Sequence, residues 1–268
     1  MITRFAPSPT GPLHLGHAYS ALVAYDLAQA ENGTFLLRIE DIDRSRARPE
    51  WEAQIYDDLA WLGLAWPTPV LRQSDQLPVY ARVLETLWDQ KLIYPCSCNR
   101  RDIQTAASAP QEGAPLLGPD GIIYPGTCRD LTQRAGQMPT GSALRLDIKK
   151  AAQIAQMEAT DLAQTIGDVV VSRKDMGTSY HLAVVVDDAA QGITDVVRGE
   201  DLAAATPIHV LLQNLLGLPT PRYHHHRLIR DETGKRLAKR DDARALSKYR
   251  SEGATPNDIK RLVGLVDV

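Results

Sequence analysis

The first forty residues constrain this chain most, because they read as a strand, a rigid turn, a helix and a second strand. Ile2 opens a short apolar run over 2–6, and Pro7-Ser8-Pro9-Thr10-Gly11-Pro12 is a turn stiffened by proline and glycine. Leu15, Ala18, Leu22, Tyr25, Leu27 and Ala28 then recur at helical spacing over about 15–30, and Asn32-Gly33 stops the helix. Thr34-Phe35-Leu36-Leu37-Arg38-Ile39 is strand-like and ends in the acidic cluster Glu40, Asp41 and Asp43. This is a β-α-β unit.

Helical patterns follow over 49–62 and 78–91, and the character of the chain changes over 94–142. Pro, Gly, Ala and Ser dominate 105–126, and Cys96, Cys98 and Cys128 bracket that stretch, which reads as a small insertion. Alternation at Ala143-Leu144-Arg145-Leu146-Asp147-Ile148 marks its exit strand. Strands are expected over 168–172, 193–197 and 223–229, and helices over 207–216, 243–249 and 256–265. Residues 182–188 are apolar throughout and are helix or strand on periodicity alone. Strands alternating with helices predict an α/β fold: a Rossmann-like parallel sheet with helices on both faces. The expected parts are 1–93 and 143–240 as the two halves of the sheet, 94–142 as the insertion, and 241–268 as a short helical segment.

At 268 residues, 44% hydrophobic and 24% charged, the chain can bury a full core, which excludes disordered and fibrous classes. No apolar run approaches the length of a membrane span, and the N-terminus lacks a secretory pattern, so a cytoplasmic protein with no membrane partner is expected. The net charge of −3 hides an asymmetry: residues 222–250 carry ten Lys/Arg against four acids. That segment is either a solvated charged face or a surface for phosphates. Three cysteines, two of them in Cys96-Ser97-Cys98, do not make a disulfide framework and look like a metal site.

The chemistry concentrates where the first strand turns into the first helix, at Pro12-Leu13-His14-Leu15-Gly16-His17. Two imidazoles at a helix start can donate to phosphate oxygens as charge develops there, and Gly16 lets a nucleotide lie against the backbone. The stretch from Arg4 through Phe5, Ala6, Pro7 and Ser8 to His17 closely resembles the N-terminus of the glutamyl-tRNA synthetases, a class I family with a "HIGH" element. The likeness continues at Arg38-Ile39-Glu40-Asp41-Ile42-Asp43, at 180–188 and at Val197-Arg198-Gly199-Glu200-Asp201-Leu202. It implies a class I synthetase catalytic domain that forms glutamyl-adenylate from L-glutamate and ATP, with Mg. It also implies a glutamate site at Arg4, Phe5, Ala6, Pro7, Ser8, Glu40, Tyr180 and Arg198. Two arginines can clamp carboxylate oxygens while Glu40 accepts from the ammonium.

The family's second ATP element, its "KMSKS" loop, aligns with Lys235-Arg236-Leu237-Ala238-Lys239-Arg240. The match is degenerate but keeps the charge, so Arg236 and Lys239 join His14, Gly16 and His17 as the expected ATP-binding residues. His14, His17 and Lys239 are the expected catalytic set. His181 stands where the family usually has Asn and receives no role. His224-His225-His226 resembles a metal tract, but on a strand adjacent side chains face opposite ways.

Three thiolates need a fourth ligand to make a tetrahedral zinc site, and no histidine lies between His17 and His181. Tyr124, Asp120 and Asp130 are the alternatives near Cys128. Residues 121–129 resemble an offshoot of the family in which the tyrosine completes the site, implying one structural zinc on Cys96, Cys98, Tyr124 and Cys128. The resemblance implies attachment of glutamate to the queuosine base in the anticodon of tRNA(Asp), and with 28 residues after Arg240 no anticodon-reading domain is expected after the loop. The expected partners are therefore L-glutamate, ATP and queuosine-bearing tRNA(Asp), with no protein partner implied. Glutamylation of the 3′ end of tRNA(Glu), or a non-catalytic RNA- or zinc-binding paralogue, are the alternatives.

Overall fold

Helix α1 (Leu15–Ala30) lies on strand β1 (Ile2–Phe5) through a face made mostly of alanine: Ala18, Ala21, Ala24 and Ala28 are buried with Leu15 and Leu22. Small side chains let the helix approach closely, and Thr3 Oγ1 donates to the Ala24 carbonyl at 2.7 Å. The computed structural model describes residues 1–107, 117–131, 134–230 and 244–266. Strand β2 (Thr34–Ile39) runs parallel to β1, with Ile2 opposite Thr34 and Phe5 opposite Leu37. Helix α2 (Pro49–Trp61) follows, and β3 (Leu71–Arg72) adds in parallel to the end of β2.

The chain divides into two units, the first comprising Met1–Asp75, Gly192–Ala203 and Pro221–Val268 and the second Gln76–Gln191 and Ala204–Thr220. In the second unit α3 (Leu77–Asp89) precedes β4 (Ile93–Cys96), α4 (Arg100–Ala107) and the short hairpin of β5 (Leu117–Gly118) and β6 (Gly121–Ile122). Then come β7 (Ala143–Leu146), α5 (Ile148–Ile154), α6 (Ala159–Thr165), β8 (Val170–Ser172), α7 (Tyr180–Ala190) and α8 (Thr206–Leu216). Here the single parallel sheet expected from sequence is corrected: β4, β7 and β8 form a three-stranded antiparallel sheet in the order β4-β7-β8. Hydrophobic periodicity identifies strands but not their direction, and these strands are only three or four residues long. The ambiguous apolar run is helical. Ser179 caps α7, its Oγ accepting from the Leu182 amide at 3.4 Å, and His181 through Asp188 are all buried, which erases any amphipathic stripe.

The first unit resumes with β9 (Asp195–Gly199), parallel to β10 (Arg222–His226), and ends in α9 (Leu246–Ser251) and α10 (Pro256–Leu262). Strand β9 lies beside β1, where the Thr194 amide donates to the Ile2 carbonyl at 3.0 Å. The spatial order is therefore β3-β2-β1-β9-β10, and the strand sequence reverses between β1 and β9. Its core gathers Phe5, Leu22, Phe35, Leu37, Leu59, Val197, Leu246 and Ile259. Among the described residues no helix is long and apolar enough to cross a membrane.

A buried carboxyl of this unit is incompletely paired. Asp58, on α2, is 1% exposed, and its Oδ2 has no hydrogen-bond partner among the described residues. Burial pushes its carboxyl up to about 6 against the pull of Arg250. The folded protein thus holds a proton that the unfolded chain, at 3.8, releases earlier, so stability falls as pH rises from about 4 to 6. Asp58→Asn removes that loss, and its melting temperature should exceed the parent's by several degrees near pH 7.5, corresponding to at most about 3 kcal/mol. At about pH 4 the two proteins should melt together. An equal shift at both pH values contradicts this account.

Candidate active site

In an open parallel sheet, ligands bind beyond the carboxyl ends of the strands where the strand order reverses. The first unit gathers its expected site residues around that point. Arg4 lies on β1, Glu40 directly follows β2, Arg198 lies on β9, and His14 with His17 opens α1. Arg4 is 6% exposed and donates through Nη1 to the Val197 carbonyl of β9 at 3.4 Å. The Glu40 amide donates to the Pro7 carbonyl at 3.0 Å, holding the proline-rich turn at the end of β2, and Glu40 Oε1 accepts from Arg38 Nη2 at 3.2 Å. Ser8 is exposed on that turn, Ala6 is half-buried, and Pro7 and Phe5 are buried. The Phe5 side chain belongs to the core.

The two histidines form a reciprocal cap. His14 Nδ1 accepts from the Gly16 amide at 3.1 Å, and His17 Nδ1 accepts from the His14 amide at 3.2 Å. With both Nδ1 atoms acting as acceptors, each neutral ring carries its proton on Nε2. The rings lie 3.8 Å apart at a 32° tilt. Two N–H donors of fixed tautomer are thus built at the positive end of a sixteen-residue helix, an arrangement suited to phosphate oxygens. Directly beside them, the Leu246 amide donates to the Leu13 carbonyl at 2.8 Å and Ala245 bridges to His14. Arg236 and Lys239 lie outside the described residues.

Arg198 has a support that sequence reasoning missed. Its Nε donates to His225 Nε2 at 3.4 Å, and its guanidinium lies 4.9 Å from the Tyr223 ring centroid. Burial and the neighbouring Arg198 lower the His225 pKa, so the ring is a neutral acceptor at physiological pH. The other histidines of this strand diverge: His224 Nε2 meets Asp195 at 2.8 Å, and His226 packs edge-on against Tyr19. Alternation along a strand was the available signal, since it puts His225 on a different face from its two neighbours.

In the second unit, Tyr180 is the first residue of α7, and its ring contacts those of His181 and His209 edge-on. The cysteines also converge here. Cys96, Cys98 and Cys128 have their sulfurs within 4.8 Å of one another, and Tyr124 Oη lies 3.5 Å from both Cys96 Sγ and Cys98 Sγ. Tetrahedral zinc, with Zn–S of about 2.3 Å and Zn–O of about 2.0 Å, requires S···S separations of about 3.8 Å and S···O of about 3.5 Å. The residues present fit a zinc ion. Of the two rivals to Tyr124, Asp120 turns to His181 instead, at 3.0 Å, and Asp130 is exposed.

A polar frame holds this cluster. Arg145 donates through Nε to Cys96 Sγ at 3.3 Å and through Nη1 to the Asp168 carbonyl at 2.7 Å, and its guanidinium lies 3.8 Å from the Tyr124 ring centroid. Asp168, 1% exposed, accepts from the Tyr94 hydroxyl, from Arg129 Nε at 2.8 Å and from the Ile148 amide at 2.9 Å. Alternation along β7 sets Arg145 on the face opposite Leu144 and Leu146, although nothing in the sequence pairs it with the cysteines.

A family model, tRNA synthetases class I (E and Q), catalytic domain, matches residues 1–267. The Glutamyl-Q tRNA(Asp) synthetase of Rhodobacter capsulatus is 64% identical, over 99% of this chain and 100% of that protein. The chain belongs to the glutamyl-Q tRNA(Asp) synthetases. The Nocardia farcinica member of this synthetase family is 42% identical, over 97% of this chain and 82% of its own length. Two solved structures, a glutamate tRNA ligase from Elizabethkingia meningosepticum in complex with its amino acid and a glutamate-tRNA synthetase from Elizabethkingia anophelis, are each 25% identical. They superpose with TM-scores of 0.75 and 0.77 over 99% of this chain, which spans 60% and 61% of their lengths. The fold is the mixed α/β class I synthetase catalytic domain.

Proposed function

We propose that this enzyme activates L-glutamate with ATP as glutamyl-adenylate and transfers the glutamyl group to the queuosine base in the anticodon of tRNA(Asp), in the cytoplasm. The paired histidine cap carries the activation step: two Nε2–H donors at the start of α1, at the point where the strand order reverses. As glutamate's carboxylate attacks the α-phosphorus, negative charge grows on the phosphate oxygens, and preorganised donors stabilise it without reorganising. Lys239 and Arg236 add positive charge to the departing pyrophosphate, and Mg accompanies ATP as part of the substrate. Arg4 and Arg198 bind carboxylate oxygens of glutamate, Glu40 accepts from its ammonium, and Ser8 and Tyr180 add hydroxyl contacts. Phe5, Ala6 and Pro7 contribute through the backbone of the turn, consistent with the burial of Phe5 in the core. Likeness to relatives named for queuosine and tRNA(Asp) supports the acceptor.

A structural zinc on Cys96, Cys98, Tyr124 and Cys128 would pin the insertion, which is poor in apolar residues and has little core of its own. Activation is tested by ATP–pyrophosphate exchange. The reading expects exchange with L-glutamate and none with L-glutamine, whose neutral amide leaves one arginine without an anion. Equal exchange with both amino acids, or none with either, contradicts it.

A further inference from the structure

The second unit holds a cleft of about 530 Å³ beside Tyr180, lined among others by Asp120, Arg145, Arg173, Asp175 and His181. At its edge three side chains form a chain from the surface inward. Both carboxylate oxygens of Asp120 contact His181 Nε2, at 3.1 and 3.0 Å, and His181 Nδ1 meets His209 Nε2 at 3.0 Å. His209 is 1% exposed, the His181 side chain 8% and the Asp120 side chain 55%. Donation from His181 Nε2 to the carboxylate leaves Nδ1 to accept from His209 Nε2–H, so one tautomer pattern satisfies the whole chain. The turn fixes Asp120 as well. It lies between Gly118 and Gly121, a bonded pair of the hairpin, and Gly121 has a φ of +100°. A side chain at Gly118 would meet the Thr165 carbonyl at 2.8 Å, so the hairpin sits tightly against the end of α6.

The result is an oriented carboxylate with one histidine partner and lone pairs left for others, because a carboxylate has about four acceptor positions. Two of the three cations that line the cleft are engaged elsewhere, Arg145 with Cys96 and the Asp168 carbonyl and Arg173 with Asp175 at 3.3 Å, and Lys174 is the third. At the Asp120 carboxylate itself, whose one hydrogen-bond partner among the described residues is His181, the negative charge disfavours phosphate and favours O–H donors. A vicinal diol suits it, since one carboxylate can accept from both hydroxyls, as acidic residues do with ribose. Two parts of a tRNA offer that chemistry, the cyclopentenediol of queuosine and a terminal ribose. We propose that Asp120, positioned by His181 and His209, is a substrate-binding residue that accepts from the vicinal hydroxyls of the queuosine ring. The inference rests on the acceptor reading above and assigns it a subsite.

The test uses the full chain, with Asp120→Asn, His181→Gln and His181→Leu, on tRNA(Asp) with and without queuosine and on tRNA(Glu). Asp120→Asn should raise the KM for queuosine-bearing tRNA(Asp) by about tenfold to hundredfold, the range for a hydrogen bond to a charged group. The KM for glutamate in pyrophosphate exchange should stay within about twofold of the parent, because the loss falls on the acceptor. His181→Leu should follow Asp120→Asn, whereas His181→Gln, which keeps an N–H donor, should recover part of the affinity. A glutamate KM that rises in parallel overturns the subsite and assigns Asp120 to the ammonium. An unchanged tRNA KM in the exposed Asp120→Asn variant overturns it outright. A loss confined to tRNA(Glu) assigns the ribose instead and overturns the queuosine assignment. If the unaltered enzyme fails to charge queuosine-bearing tRNA(Asp), the functional reading itself falls.

Discussion

Replacing His17 with asparagine should lower kcat for glutamate-dependent pyrophosphate exchange by about two to three orders of magnitude, the effect of deleting one preorganised donor to a developing oxyanion. The choice of residue separates chemistry from folding. His17 Nδ1 accepts from the His14 amide at 3.2 Å, and an asparagine oxygen can occupy that position and keep the cap. Only the donor further out, at Nε2, disappears. The melting temperature should therefore stay within a few degrees of the parent, and the KM for glutamate should hardly move. His17→Gln, whose amide nitrogen reaches about as far as imidazole Nε2, should recover part of the rate. A loss below about threefold in His17→Asn would mean that the ring serves only as a cap.

Loss of a thiol should disorganise the insertion. Cys128→Ser removes one of three sulfurs that lie within 4.8 Å of one another, and its Sγ is 3.4 Å from that of Cys98. The metal content of the purified enzyme should fall from one zinc per chain to near zero. Structural zinc sites contribute about 10–16 kcal/mol in small zinc-finger peptides, and an insertion with so small a core has little to replace that. Amides of β4 and of residues 121–131 should exchange with deuterium far faster than in the parent, while those of α1 stay protected. Tyr124→Phe keeps all three thiolates but should weaken zinc at least tenfold. Full zinc content in Cys128→Ser, or no change on losing the Tyr124 hydroxyl, contradicts the assignment.

Much of the first unit was legible in the sequence because its signals are local. The helix over 15–30 and the strand over 34–39 coincide with α1 and β2, since proline, glycine and a clean period mark their ends. Arg4, Glu40, Arg198 and the histidine pair could be placed at strand ends for the same reason. The second unit was harder. Helix α7 is buried on nearly every side, so periodicity could not separate it from a strand. Helix α4 and the β5–β6 hairpin lie in or beside a Pro/Gly/Ala/Ser-rich stretch that shows no pattern, and none of the short strands announces its direction. The pairs that organise this region are also distant in sequence: Asp120 and His181 are 61 residues apart, and Arg145 and Cys96 are 49 apart. No window of local pattern reaches across such gaps.

The central claim is the acceptor, and one measurement bears on it most directly. The full enzyme is incubated with radiolabelled glutamate and ATP in parallel reactions with tRNA(Asp) bearing queuosine, tRNA(Asp) bearing guanosine in its place, and tRNA(Glu). The account predicts label only on queuosine-bearing tRNA(Asp), retained by the anticodon fragment after nuclease digestion and absent from the 3′ end. Label on the 3′ end of tRNA(Glu) without any on queuosine-bearing tRNA(Asp) would contradict it.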